Sequence, residues 1–483
     1  MGRRERVEYG DWQTPIALAR AALDTVMRTA TRSRGRPASI LEPTCGEGAF
    51  LEAAASLFPR ALLVGHEISA PYARRARTTL TRAGVSPDRA RIHVGDFFQI
   101  DWERVIGELP QPVLVTGNPP WVTNAGVGAL RGTNLPPKEN AAGLKGLDAR
   151  TGKSNFDVSE WMILRLLEAL GDRRATLAML CKSVVARRII EHVARRGMAV
   201  APGGLWKIDA AGHFDAAVDA VLFVCETGRR NVDASANATW PVFTSLDAHD
   251  ASAAIGVRGG VLVADAERYT RTLHLAGTCE PEWRSGIKHD CARVMELDRS
   301  AAGWVNRMGE RVDVEDAFLF PLLKSSDVAN GRARDRVMIV PQRALGEDTR
   351  ALRKTAPKLW RYLTRHRGLL DARKSSIYRG QAPFAIFGVG PYTFAPWKVA
   401  ISGLYKRCVF TLVGPNEAAR PVVFDDTCYF LPFTSEAAAR RARTALESPL
   451  AHDFLTSRVF WDAKRPINKA LLQSLDLSIV LHC

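Results

Sequence analysis

The chain has 483 residues, more than one core usually holds, and at roughly 150 residues per domain two or three domains are expected. Hydrophobic residues make up 46% and charged residues 24%, which excludes a largely disordered chain. Lys and Arg number 67 against 51 Asp and Glu, a net charge of +16; residues 1–230 carry 32 basic and 24 acidic side chains and residues 231–483 carry 35 and 27, or +8 in each half. An excess so evenly spread points to a phosphate-rich partner. The bland alternative is a basic enzyme from an Arg-rich proteome.

No window approaches the roughly 18 uninterrupted apolar residues of a membrane helix. Arg3, Arg4 and Arg6 are not followed by an apolar stretch, so no signal peptide is expected and the protein is read as cytoplasmic. Among eight cysteines the closest pair, Cys279 and Cys291, lies 12 positions apart. Neither a structural metal nor a disulfide framework is implied.

In chain order, Thr14 to Ala30 reads as a helix with Pro15 in its first turn. Short apolar strands follow at Ser39–Leu41, Ala61–Ile68, Arg91–Phe98, Pro112–Thr116, Ala175–Cys181 and Ala220–Cys225, alternating with helical stretches at Ala49–Phe58, Ala70–Ala83, Val158–Leu170 and Val184–Arg196. This alternation predicts an α/β domain over residues 1–228, with a mostly parallel, doubly wound, Rossmann-like sheet covered on both faces. Gly204–Asp209 and Ala220–Cys225 lack an intervening helical pattern and are expected as an antiparallel edge hairpin. Glu226 to Thr239 is polar and patternless, an interdomain linker. Residues 240–483 show no such alternation and are expected to form an α+β domain.

Four strand ends carry the chemistry. Ser39–Leu41 runs into EPTCGEGAFL (Glu42–Leu51), a glycine turn opening a helix. The dinucleotide fingerprint needs a third glycine where Leu51 stands, so a phosphate grip is not supported. The next strand ends at Glu67 and Ile68, and a carboxylate there can accept both hydroxyls of a ribose. The third ends in GDFF (Gly95–Phe98), where Asp96 can accept from an adenine amino group and Phe97 or Phe98 can pack on the ring. An adenosine-shaped slot without a phosphate binder points to S-adenosylmethionine. The fourth ends in GNPPW (Gly117–Trp121). A planar exocyclic amine is a poor nucleophile because its lone pair is delocalised. If the Asn118 oxygen and the Pro119 carbonyl each accept one amine N–H, the nitrogen is drawn toward sp³. Pro119 and Pro120 fix φ and hold that carbonyl, and Trp121 offers a face for the target base.

Together these residues resemble the gamma-class, adenine-specific DNA methyltransferases of bacterial restriction–modification type, and the likeness covers the first 225 residues. The order of motifs matches: YGDWQTP (Tyr9–Pro15), the glycine motif, the NPP-aromatic motif, then a C-terminal recognition domain. The resemblance implies a class I methyltransferase fold that binds S-adenosylmethionine. Thr14, Pro15 and Glu42 would meet its methionine end, with Pro43, Cys45, Gly46, Gly48, Glu67, Ile68, Asp96, Phe97 and Asn118 completing the cofactor site. Asn118, Pro119, Pro120 and Trp121 form the implied catalytic set, although Trp stands where Tyr or Phe is commoner. The target would be a flipped-out adenine in double-stranded DNA, and a separate cognate restriction endonuclease is an implied partner. GIKHDC (Gly286–Cys291) and PLLKSSD (Pro321–Asp327) also have the flavour of bacterial members.

In the second half, Arg343–Arg379 carries 11 Lys/Arg against three acids. Arg353, Lys354, Arg361, Arg365, Arg367, Arg373 and Lys374 are the expected phosphate contacts, weighed against an amphipathic, solvated helix. GLDARTGKS (Gly146–Ser154) has five residues between its glycines where a Walker A loop needs four. It falls in the glycine-rich stretch Val122–Asn155, expected as a mobile loop beside the base pocket. Asp425 and Asp426 lack the partners of a two-metal nuclease. Cytosine-N4 transfer, an RNA or protein-glutamine methyltransferase, and a non-enzymatic DNA-binding protein remain the alternatives.

Overall fold

Helix α1 (Ile16–Arg34) starts directly after Pro15, whose missing N–H costs nothing in a first turn. It buries Leu18, Ala19, Ala22, Leu23 and Val26. This computed structural model describes residues 13–122, 157–228, 237–301, 303–332 and 335–482.

The apolar runs form β1 (Ser39–Glu42), β2 (Leu62–Glu67), β3 (Ala90–Val94), β4 (Val113–Gly117), β5 (Ala175–Lys182), β6 (Val200–Ile208) and β7 (Ala220–Thr227). Between them lie α2 (Ala49–Leu57), α3 (Ala70–Arg82), α4 (Trp102–Gly107), α5 (Val158–Leu170), α6 (Ser183–Arg196) and α7 (Ala210–Phe214). The strand order is β3-β2-β1-β4-β5-β7-β6. The first five strands are mutually parallel, and β7 runs antiparallel to both β5 and β6. This is the class I methyltransferase fold.

The expected antiparallel pair is present, but it is not an edge. The sheet continues past β6 through β8 (Thr239–Phe243), β9 (Ala253–Arg258) and β10 (Val261–Val263), with β8 parallel to β6. Trp206 of β6 stacks on Phe243 of β8 at 4.5 Å, and Trp240 stacks on Phe223 at 5.2 Å. These aromatic pairs carry the sheet beyond the polar stretch that reads as a linker. The chain therefore divides into compact units Met1–Ala266 and Glu267–Cys483, later than the boundary of 228 to 240 read from the sequence.

The second unit is α+β. Its strands are β11 (Arg284–Ser285), β12 (Glu296–Ser300), β13 (Gly303–Asn306), β14 (Leu319–Leu323), β15 (Arg336–Ile339), β16 (Trp397–Ser402), β17 (Thr411–Val413), β18 (Val423–Phe424) and β19 (Cys428–Phe433). They form a four-stranded sheet, β11-β19-β16-β17, and a five-stranded sheet, β13-β12-β15-β14-β18. Helices α8 (Ser325–Asn330), α9 (Leu352–Thr355), α10 (Pro357–Arg365) and α11 (Arg367–Asp371) belong to this unit. Leu352, Leu359, Leu363 and Leu370 drive the last three into a core with Val294, Leu297, Met338 and Ile339.

The strings GIKHDC and PLLKSSD meet on one buried carboxylate. Glu296 of β12 is 2% exposed and takes Lys324 Nζ at 2.6 Å, His289 Nε2 at 3.4 Å and the Arg307 guanidinium. His289 Nδ1 accepts the Cys291 N–H at 3.1 Å, so Nε2 is left as the donor even in the neutral ring. Burial alone would raise the Glu296 carboxyl, but the bonds from His289 and Lys324 outweigh it and hold it at about 2.

Candidate active site

Parallel pairing of β1, β2, β3 and β4 brings their C-terminal ends to one edge of the sheet. The glycine turn after β1 closes there, with Gly48 donating to the Cys45 carbonyl at 2.7 Å. Gly46 and Gly48 have φ of 50° and 91°, left-handed values that favour glycine. Space makes the same demand. A Cβ on Gly46 would lie 2.6 Å from Gln13 Oε1, and one on Gly48 would lie 3.2 Å from Ala76 Cα.

Gln13 ties the N-terminal segment to this turn, since its Oε1 accepts the Glu47 N–H at 3.1 Å. Thr14 and Pro15 follow directly, half-buried and exposed respectively, while Tyr9 to Asp11 and Trp12 lie outside the described residues. Glu67 closes the other side. Its carboxylate accepts the Gly46 N–H at 2.9 Å and the Ser69 N–H at 2.8 Å, so the β2 acid is built into the glycine turn. Ile68 beside it is 46% exposed, an apolar face next to a carboxylate.

Glu42 at the end of β1 is buried, and its Cγ lies 3.3 Å from where a Gly117 Cβ would stand. Burial pushes its carboxyl well above the usual range; a backbone hydrogen bond at Leu51 opposes this and the Glu67 charge adds to it. Glu42 Oε2, Thr44 Oγ1 and Asn118 Oδ1 are all buried without a hydrogen-bond partner among the described residues. Buried polar atoms are seldom left so. Three orphaned acceptors at one sheet edge mark a place for a ligand rich in donors.

Asp96 and Phe97 sit at the end of β3. The Asp96 carboxylate accepts from Phe98 N at 3.0 Å and Gln99 Nε2 at 3.2 Å. Phe97 is buried against Trp102, with ring centroids 4.7 Å apart, while the half-buried Phe98 ring meets Trp161 at 5.1 Å. Of the two, Phe98 is the more accessible ring.

The fourth strand end departs from expectation at one residue. Trp121 is 8% exposed, meets Phe214 edge-on at 5.2 Å and donates Nε1–H to the Leu180 carbonyl at 3.4 Å. Its ring is core and offers no open face for a base. An indole has both a large apolar surface to bury and one donor to satisfy, and this pocket does both. The glycine-rich stretch after it falls mostly on residues 123–156, outside the described residues.

The expected phosphate contacts fall in the second unit. Arg353, Lys354, Arg361, Arg365, Arg367 and Lys374 are exposed. Arg373 is not among them: its guanidinium lies 3.7 Å from the Tyr378 ring centroid and donates to the Ala385 carbonyl at 2.8 Å, so it braces the fold.

No protein-family model matches the chain. A curated relative does: the Type II methyltransferase M.NspV of Nostoc sp. (strain ATCC 29411 / PCC 7524) is 43% identical over 481 residues, spanning 99% of this chain and 98% of the relative. The chain belongs to the Type II methyltransferases. A shorter match, 33% over 118 residues, joins 24% of this chain to 20% of the Type II methyltransferase M.XamI of Xanthomonas campestris pv. amaranthicola. Solved structures with similar folds include the type I restriction-modification system methyltransferase subunit of Streptococcus thermophilus (15% identity, 47% of this chain, 46% of that one, TM-score 0.33). Another is an RNA methyltransferase of Salinibacter ruber in complex with S-adenosyl-L-homocysteine (18% identity, 46% of this chain, 97% of that one, TM-score 0.25).

The cofactor is S-adenosylmethionine. The residues present fit it: the orphaned oxygens of Glu42 and Thr44 can accept hydrogen bonds, and the cofactor carries an ammonium group and hydroxyls that donate them. Sequence reasoning missed Gln13, Thr44 and two further residues, Lys182 and Asp157. A lysine closing the otherwise apolar strand ATLAMLCK (Ala175–Lys182) was the available signal.

Proposed function

We propose that this methyltransferase modifies double-stranded DNA, transferring a methyl group to the N6 amine of a flipped-out adenine, as the modification partner of a restriction endonuclease. The observation that carries the reading is Asn118 Oδ1, directly after β4 and buried without a partner among the described residues. An adenine amine reaching that point would donate one N–H to Asn118 and the other to the Pro119 carbonyl, freeing the nitrogen lone pair. Bound S-adenosylmethionine supplies an electrophilic methyl group. Glu42 would receive the cationic methionine end, whose charge would oppose the upward push that burial gives its carboxyl. Glu67 and Asp96 end neighbouring strands of the same sheet edge, and carboxylates there suit a ribose and an adenine amine. Base analysis of DNA treated with the enzyme tests the reading. N6-methyladenine is expected; N4-methylcytosine alone would reassign the target amine, and no DNA methylation would overturn the reading.

Glu67→Ala is expected to weaken S-adenosylhomocysteine binding by about 1.5–3 kcal/mol, the scale of a lost charged acceptor. It also strands the Gly46 and Ser69 N–H groups, so the glycine turn itself should loosen. Calorimetry giving an unchanged dissociation constant would remove Glu67 from the site.

The exposed cations of α9 to α11 are the proposed phosphate contacts. Replacing Arg353 and Lys354 together by glutamine should weaken binding to all DNA sequences alike and reduce the slope of log K against log salt by about 0.9 per lost contact. Arg373→Gln should instead lower thermal stability. Unchanged affinity in the double variant would return the charge run to a solvated helix face.

A further inference from the structure

The NPPW loop has a weakness written into its sequence. Pro119 and Pro120 carry no N–H, so neither can anchor the loop through a backbone donor. Its position after Asn118 must be fixed through carbonyls and side chains further along.

Lys182 supplies that anchor. It ends β5, the strand paired in parallel with β4, and its Nζ donates to the Trp121 carbonyl at 2.9 Å and to Asp157 Oδ2 at 2.7 Å. The Lys182 and Asp157 side chains are 19% and 6% exposed. Asp157 is itself held, since its Oδ1 accepts Ser159 N at 3.1 Å and Ser159 Oγ at 2.6 Å while it caps α5. The Val158 N–H reaches back to the Val122 carbonyl at 2.8 Å. The loop's exit is thus held at two successive carbonyls, one by a charged donor and one by the first turn of α5. Such charge-assisted bonds, half out of water, are the short and directional kind.

We infer that the Lys182–Asp157 pair is a positioning device that holds the Pro119 carbonyl and Asn118 in register for transfer. Lys182 acts through the Trp121 carbonyl, and no direct contact with the substrate is assigned to it. The inference rests on the reading of Asn118 and Pro119 as amine acceptors.

The test is the single-turnover methylation rate of the full chain on DNA, counted per site that binds S-adenosylhomocysteine. Lys182→Met is expected to lower that rate by about 10²-fold, the scale of a displacement near 1 Å at a reacting group. Cofactor affinity should stay within about threefold, since the glycine turn and Glu67 are untouched. Lys182→Arg, which keeps the charge and can still reach the carbonyl, should recover much of the rate. Lys182→Met leaves the buried Asp157 charge unpaired and can fail to fold. The double variant Lys182→Met with Asp157→Asn removes both charges and should show the same slow transfer. A double variant that is less stable but transfers at the wild-type rate per binding site overturns the inference and makes the pair purely structural. Asn118→Ala run alongside separates the two claims: if it keeps wild-type turnover, the acceptor reading falls first; if it is inactive while the Lys182 variants are not, only the positioning role falls.

Discussion

Asn118→Ala is expected to lower single-turnover methyl transfer by about 10²- to 10³-fold, the cost of removing one preorganised group at a reacting centre. S-adenosylhomocysteine affinity should change by less than about threefold, because an interaction made mainly in the transition state shows in rate and not in ground-state binding. Stability gives the variant its signature. Asn118 Oδ1 is buried without a partner among the described residues, and an unsatisfied buried oxygen costs the fold about 1–3 kcal/mol. Truncation removes that burden, so the melting temperature should hold or rise while activity is lost. A side chain kept only for folding would behave in the opposite way. Wild-type turnover in Asn118→Ala would make the acceptor assignment wrong.

The strand ends were legible because their signals are local. An acid closing an apolar strand, a glycine turn before a helix and two prolines after a fourth strand each state a backbone requirement within a few residues. Gly46, Gly48, Glu42, Glu67 and Asn118 accordingly gather at one sheet edge. What escaped is what depends on distant partners. Trp121 reads as a stacking surface until Phe214 and the Leu180 carbonyl enclose it. Arg373 reads as one more cation in a basic run until Tyr378 and Ala385 claim it. Lys182 finds its carbonyl partner 61 positions away, a pairing no periodicity announces. The division into compact units falls later than the polar stretch for the same reason. A polar stretch marks where the chain leaves the sheet but cannot say whether it returns, and β8 to β10 return on the strength of Trp240 and Phe243.

Glu296→Ala is expected to destabilise the second unit by about 3–5 kcal/mol, the usual consequence of removing one member of a buried charged group. The loss follows from what remains. Lys324, largely shielded, and His289, 6% exposed, would keep their donors with no carboxylate to receive them. The strings GIKHDC and PLLKSSD, separate in the sequence, would lose their common point. Urea unfolding of the full chain checks this, and a loss below about 1 kcal/mol would mean the cluster relaxes or hydrates freely. The pH dependence is a second, independent mark. The Glu296 carboxyl is held at about 2 in the folded chain, below its ordinary value, so its contribution is fully present above the unfolded pKa. It declines as the pH falls from about 4.5 toward 2, by up to about 1.4 kcal/mol per unit. The stability difference between the wild type and Glu296→Gln should therefore be flat from pH 7 to 5.5 and shrink below that. A difference that stays constant to pH 3 would mean that the folded and unfolded carboxyl titrate alike, and that Lys324 and His289 hold Glu296 no more firmly than water does.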